Sequence, residues 1–175
     1  MPLDPSNDIR RVVAGTTEEI QPGERRIIVP FRGRAGIGVF NIDGEFYALE
    51  IGDFRSLMKA FTEAMSQTQM AAAAGATWSH TQGIIDRMKV GLDHGINTFH
   101  VAFPYWMPLS NSDLEHFWED LAKAVPEARW IHYNTPRAHR LLKGKDYARL
   151  ADQYPQQMIG SKMGSSSLFD IVDCI

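Results

Sequence analysis

Trp130–His139 reads WIHYNTPRAH, a strand-like apolar run that ends in a phenol, an amide and a proline. About one strand-plus-helix unit later, Gln157–Lys162 (QMIGSK) is a second such run, and it ends in a lysine. In parallel α/β folds the working groups lie at the carboxyl ends of the strands, where the loops converge. With Phe103–Trp106 (FPYW) these runs supply three strand ends. If the three strands are sequential neighbours, their ends stand side by side at about the 5 Å inter-strand spacing, and Tyr133 and Lys162 point into one pocket.

The rhythm around these runs supports a parallel sheet. From about Gly52 onward, strand and helix patterns alternate. DFRSLMKAFTEAMSQ places Phe54, Leu57, Met58, Phe61 and Met65 at helical spacing, with Asp53 as the expected N-cap. MAAAAGA is a weak strand signal, because alanine is a helix former. HTQGIIDRMKVGLDHG predicts a helix closed by Gly95, and INTFHVAF a strand. SNSDLEHFWEDLAKAV predicts a helix capped by Ser112, with Asp113 and Glu115 in its first turn. RWIHYN then reads as a strand, GKDYARLADQY as a helix, QQMIGSK as a strand and SSLFDIVDCI as the start of a helix. Such alternation implies crossover helices on a parallel sheet.

Residues 9–49 are written in a different style. RRIIVPF is β-branched, GRAGIGVFNI alternates toward a strand, DG is a hairpin turn and EFYAL resumes the strand. Gly33, Gly36 and Gly38 suit turns and bulges. GRAGIG is not a dinucleotide fingerprint, since strand signals follow it where a helix is required. The expected division is therefore residues 1–49, a small antiparallel β segment, and 50–175, an α/β unit, with no linker between them.

Bulk properties exclude several classes of function. Over 175 residues the formal net charge is −3 and the pI about 6.0, with no basic stripe, so no nucleic acid and no anionic membrane is expected as partner. Cys174 is the single cysteine, which rules out a disulfide within the chain and any cysteine-based metal cluster. No signal-peptide pattern and no membrane-length apolar run is present, so the default expectation is a cytoplasmic protein.

A lysine buried at a strand end loses hydration of its charged form, and the free amine becomes a nucleophile toward ketones and aldehydes. The resulting iminium is an electron sink beside which a C–C bond can form or break. A phenol within hydrogen-bond reach can carry the protons. The plainer readings stand beside this one: a lysine after a strand is usually solvated, and most Tyr-Asn-Pro steps are turns. His100 and His132 read as hydrogen-bonded core histidines. His80, His94 and His139 have no site-forming spacing, and Trp78, Trp106, Trp118 and Trp130 read as packing residues. GSSSLF, near the C-terminus, is either an anion-binding helix start or an ordinary capped one.

The order AGATWSHT, GINTFHVAFPYW, DLEHFWEDLAKAVPEARWIHYNTP, LADQYPQQMIGSK resembles the dihydrodipicolinate synthase / N-acetylneuraminate lyase family of Schiff-base (class I) aldolases. The resemblance covers about residues 52–175. It implies a partial (β/α)8 TIM barrel of about four strands with helices, beginning at what would be the second helix and stopping just after the sixth strand. A complete barrel has about 250 residues. It also implies Lys162 as the lysine that condenses with pyruvate or another 2-oxo acid, and Tyr133 as the proton-relay phenol. Arg137, directly after the proline, is then the candidate for the substrate carboxylate, and Tyr105 and Asn134 are further substrate-binding candidates. Trp106 stands where members often carry a second tyrosine. No cofactor and no metal is implied; a small 2-oxo acid or aldehyde is the expected partner, with self-association through open barrel edges.

Residues ~9–49 resemble the N-terminal part of a Rieske ferredoxin-type domain, but the chain supplies none of the cysteine and histidine ligands of its iron–sulfur cluster. A fusion of two truncated genes would explain the join. Truncation predicts an impaired lyase; the alternative is a non-catalytic fusion remnant or binding module.

Overall fold

The computed structural model describes residues 37–40, 49–66 and 71–163. The expected DG turn, the EFYAL run up to residue 48 and the final helix start lie outside the described residues, and Leu49, which is described, is not in a strand. Five parallel strands form one sheet in the order β1-β2-β3-β4-β5: Ile37–Phe40, Ala71–Gly75, Thr98–Val101, Arg129–Asn134 and Met158–Met163. The helices α1 (Ile51–Met65), α2 (Thr81–Asp93), α3 (Asn111–Ala124) and α4 (Gly144–Gln153) are the crossovers between successive strands. This is the parallel sheet with crossover helices that the alternation implied, arranged as the partial (β/α)8 barrel that the resemblance implied.

One strand departs from the expected arrangement. Ile37–Phe40 was to belong to a small antiparallel unit, yet β1 pairs parallel with β2, Ile37 opposite Ala71 and Phe40 opposite Ala74. It thereby adds a fifth strand to the four expected. The alanine run of β2 is a strand because it is flanked on both sides, and sheet context outweighs alanine's helical preference. Ala73 and Ala74 are fully buried there.

Helix boundaries follow local chemistry. On α1 the buried Phe54, Met58, Phe61 and Met65 trace one face, as their spacing predicts, while Leu57 is half-buried. The N-cap is Glu50, so Asp53 falls in the first turn. On α3 the cap is Ser110 and not Ser112: the helix already begins at Asn111, and Asp113 closes a capping box with Ser110. Asp113 N–H donates to Ser110 Oγ at 3.2 Å and Ser110 N–H to Asp113 Oδ2 at 2.9 Å. Hydrogen bonds from Ser110 hold the Asp113 carboxyl below its usual value. His80 caps α2, its Nδ1 accepting from Gly83 N–H at 3.0 Å. Gly95 closes that helix with φ of 81°: its N–H donates to Leu92 O and that of Ile96 to Gly91 O, the Schellman pattern.

The core lies between sheet and helices. Phe103, Phe117, Trp118, Trp130, His132 and Tyr154 form a continuous aromatic chain, with ring centroids 4.5–5.6 Å apart. Trp118 and Trp130 are packing residues, as read from sequence; Trp106 is 83% exposed and is not. His132 is fully buried, and one ring nitrogen, Nδ1, lies 2.7 Å from the Tyr147 hydroxyl. Among the described residues, no helix is long and apolar enough to cross a membrane.

Two predictions follow from this packing. A Cβ at Gly91 would lie 2.4 Å from Cε1 of the fully buried Phe99. Gly91→Ala should therefore lower stability by about 1–3 kcal/mol in urea melts, although alanine in a helix interior normally adds about 1 kcal/mol. Burial also pushes the His132 imidazole down to about 3. The unfolded chain takes up that proton near pH 6.5 and the folded one does not, so stability falls as pH drops from about 6.5 toward 3. The loss is on the order of 4 kcal/mol over the window. Urea melts of the His132→Leu/Tyr147→Phe pair should show a pH slope shallower by about one proton.

Candidate functional site

Strand β4 alternates strictly. Trp130, His132 and Asn134 are buried on the helix side, whereas Arg129, Ile131 and Tyr133 lie on the opposite face, the inner face of a barrel. Strands β3, β4 and β5 are neighbours, so FPYW, YNTP and GSK do end side by side.

Whether the lysine meets the phenol is decided by a one-residue irregularity. Trp130 pairs with Met158, but Ile131 pairs with Gly160, leaving Ile159 as an extra residue in β5. Met158 is buried against the helices, while Ile159 is 46% exposed. After this bulge the phase of the strand is reversed, and Lys162 stands opposite Tyr133. In a regular ladder Ser161 would occupy that place and Lys162 would face the helices. The Lys162 Nζ lies 4.1 Å from the centroid of the Tyr133 ring, over its face. Both side chains are half-buried.

The other candidates are arranged as follows. Arg137 is exposed on a single 3-10 turn, Pro136–Ala138, directly beyond the end of β4, and its N–H donates to Thr135 Oγ1 at 3.4 Å. Asn134 is 2% exposed and its amide is engaged by Leu142: Nδ2 donates to the Leu142 carbonyl at 2.9 Å, and Oδ1 accepts from the Leu142 N–H at 3.0 Å. Tyr105, half-buried after β3, stands within electrostatic range of Arg87. Among the described residues, no group of three or more His, Cys, Asp or Glu is placed to hold a metal ion.

Sequence reading missed Arg87. Its guanidinium carbon stacks 3.4 Å from the centroid of Trp78, and Nη2 donates to the Leu49 carbonyl at 2.7 Å. Burial lowers it from its ordinary value, opposed by the charges of Glu50 and Asp86 and by Tyr105. An arginine on a mainly apolar helix face, one turn after a glycine and near a tryptophan, is the only trace of this in sequence. A cavity of about 460 Å³ adjoins it, lined by Glu50, Trp78, His80, Asp86 and Arg87 among others, and Lys162 and Tyr133 are not in its wall.

No family model and no curated protein sequence matches the chain. Solved structures do. YagE, a prophage protein of the dihydrodipicolinic acid synthase family from E. coli K12 in complex with pyruvate, superposes with a TM-score of 0.68 at 20% identity, covering 75% of this chain and 43% of that one. PhdJ bound to a substrate intermediate gives 0.68 at 26% identity, over 81% of this chain and 44% of that one. N-acetylneuraminate lyase from Mycoplasma synoviae gives 0.62 at 21% identity, over 75% and 43%. The structural neighbours are thus dihydrodipicolinate synthase and N-acetylneuraminate lyase family members, and this chain spans less than half the length of each. The likeness establishes the partial barrel fold.

The bulge has a direct test. Deleting Ile159 yields a regular ladder with the same partners, so Lys162 stays opposite Tyr133. The Lys162 ε protons, shifted upfield by the ring beneath them, should keep that shift in the deletion variant and lose it in Tyr133→Leu, as read by NMR.

Proposed function

We propose that the chain carries a Schiff-base lyase site in which the Lys162 amine condenses with the ketone of pyruvate or another small 2-oxo acid. The observation that supports this reading best is the placement of Lys162 Nζ over Tyr133, at adjacent strand ends and on the sheet face opposite the buried Trp130 and His132. The neutral amine attacks the carbonyl carbon, the oxygen takes up two protons in turn, one released by the nitrogen and one from an acid, and it leaves as water as the iminium forms. Electrons from a C–C bond broken beside the iminium then flow to nitrogen, giving an enamine that a proton quenches. The Tyr133 phenol is the group that would move these protons. Arg137 and Tyr105 are the groups proposed to hold the substrate's carboxylate end. The likeness in fold to YagE, solved in complex with pyruvate, and to PhdJ, solved bound to a substrate intermediate, supports the choice of a small 2-oxo acid as substrate class. Pairing of copies along the outer strands belongs to the same reading, since it would wall in the exposed inner face.

One observation favours a second reading, a non-catalytic binding unit. The ring face beneath Nζ stabilises a charged amine by about 0.5–1 kcal/mol, whereas condensation needs the neutral one. Catalysis therefore requires that contact to be given up as the substrate enters.

Trapping separates the two. Incubation with pyruvate and borohydride should add one reduced adduct, found by peptide mass on Lys162 and absent in Lys162→Ala. Tyr133→Phe keeps the ring but loses the phenol, and should slow adduct formation about a hundredfold. A yield per chain that rises with protein concentration marks a site completed by a second copy. A folded sample that forms no adduct leaves the binding-unit reading.

A further inference from the structure

Asn134 was expected to touch substrate, but its amide is committed to the protein. The two hydrogen bonds to Leu142, at 2.9 and 3.0 Å, form a two-pronged clasp between residues eight positions apart, both buried. The clasp closes the loop that contains the Pro136–Ala138 turn and His139, whose backbone is left-handed with φ of 55°. Pro136, Arg137 and His139 are exposed at its tip. Asn134 Nδ2 also lies 3.7 Å from the Sδ of Met163, its register partner on β5. One amide thus joins three things: the strand position after Tyr133, the strand position after Lys162, and the base of the loop that presents Arg137.

A loop of this length has many conformations when its base is open, and ordering it on binding costs affinity. A loop already closed at its base presents its cation without that cost. We propose that Asn134 is a positioning residue, which through its clasp on Leu142 fixes the Thr135–Leu141 loop so that Arg137 receives the carboxylate of the 2-oxo acid bound at Lys162. This rests on the Schiff-base reading above. It separates recognition of the carboxylate, which depends on the clasp, from the reactivity of the amine, which does not.

Two carbonyl probes test the separation: pyruvate, which has the carboxylate, and acetaldehyde, which lacks it. Each is trapped with cyanoborohydride and read at Lys162 by peptide mass, in the wild-type chain, Asn134→Asp, Asn134→Ser, Arg137→Gln and Asn134→Asp/Arg137→Gln, each first shown to be folded. The half-saturating pyruvate concentration should rise about tenfold in both Asn134 variants and in Arg137→Gln, while labelling by acetaldehyde stays unchanged. The double variant should be no worse than Arg137→Gln alone. Parallel loss of both labels, or additive effects of the two substitutions, would overturn the proposal. Hydrogen exchange at the Leu142 amide reads the clasp without any chemistry: faster exchange is expected in Asn134→Ser, and unchanged protection there would also overturn it. If acetaldehyde labels wild-type Lys162 and the Asn134 variants bind pyruvate normally, only this inference fails. If neither probe labels wild-type Lys162, the Schiff-base reading fails and takes the inference with it.

Discussion

A strand in a two-layer fold has two faces and a period of two, and β4 uses both. Trp130 and His132 fill the helix layer, while Tyr133 is turned to the far side. The neighbouring strand must match an apolar residue to Trp130 and a lysine to Tyr133. Those two positions are three apart on β4, and their partners Met158 and Lys162 are four apart on β5. An odd spacing facing an even one cannot be satisfied by a regular ladder, and Ile159 absorbs the difference. The partial exposure of an isoleucine is the visible cost of that adjustment. With Met158 and Lys162 four residues apart, the bulge is what lets both keep their partners on β4.

Around the bulge, buried polar groups are anchored to definite partners. His132 meets Tyr147, Asn134 meets Leu142, and Arg87 meets the Leu49 carbonyl while lying on Trp78. Each contact crosses between separate stretches of chain: strand to helix, strand to loop, helix to the segment leading into α1. Apolar packing holds the layers together without direction, whereas these contacts admit few alternatives, because a buried polar atom without its partner costs about 1–3 kcal/mol. The aromatic chain supplies cohesion, and the polar contacts define which residue faces which.

Much of this was legible in the residues. The burial face of α1 follows from Phe54, Met58, Phe61 and Met65, and the end of α2 from Gly95. That the ends of β4 and β5 lie side by side follows from the alternation of strand and helix patterns, whereas the facing of Tyr133 and Lys162 does not. What escaped reading depended on partners far along the chain. The cap of α3 was misplaced by two residues because serines at both positions look alike until the box with Asp113 is drawn. Asn134 read as a substrate group because nothing in YNTP announces that Leu142 will fold back onto its amide. Trp106 was assigned to packing by its size, yet it projects from the loop after β3. The bulge at Ile159 left no mark at all, since spacing along one strand does not reveal the spacing of its partner.

Strand β2 is nearly featureless: four alanines and a glycine, paired on one side with β3 and on the other with β1. Cross-strand recognition elsewhere in the sheet involves side chains of particular size, such as Phe99 beside Trp130. A row of methyl groups makes no such demand, so what β2 offers its outer neighbour is chiefly main-chain hydrogen bonding, which any extended segment can satisfy. That edge of the barrel is therefore interchangeable in a way the others are not. A strand from a stretch written in a different style can dock there, in parallel and in register, without any change to the residues that receive it.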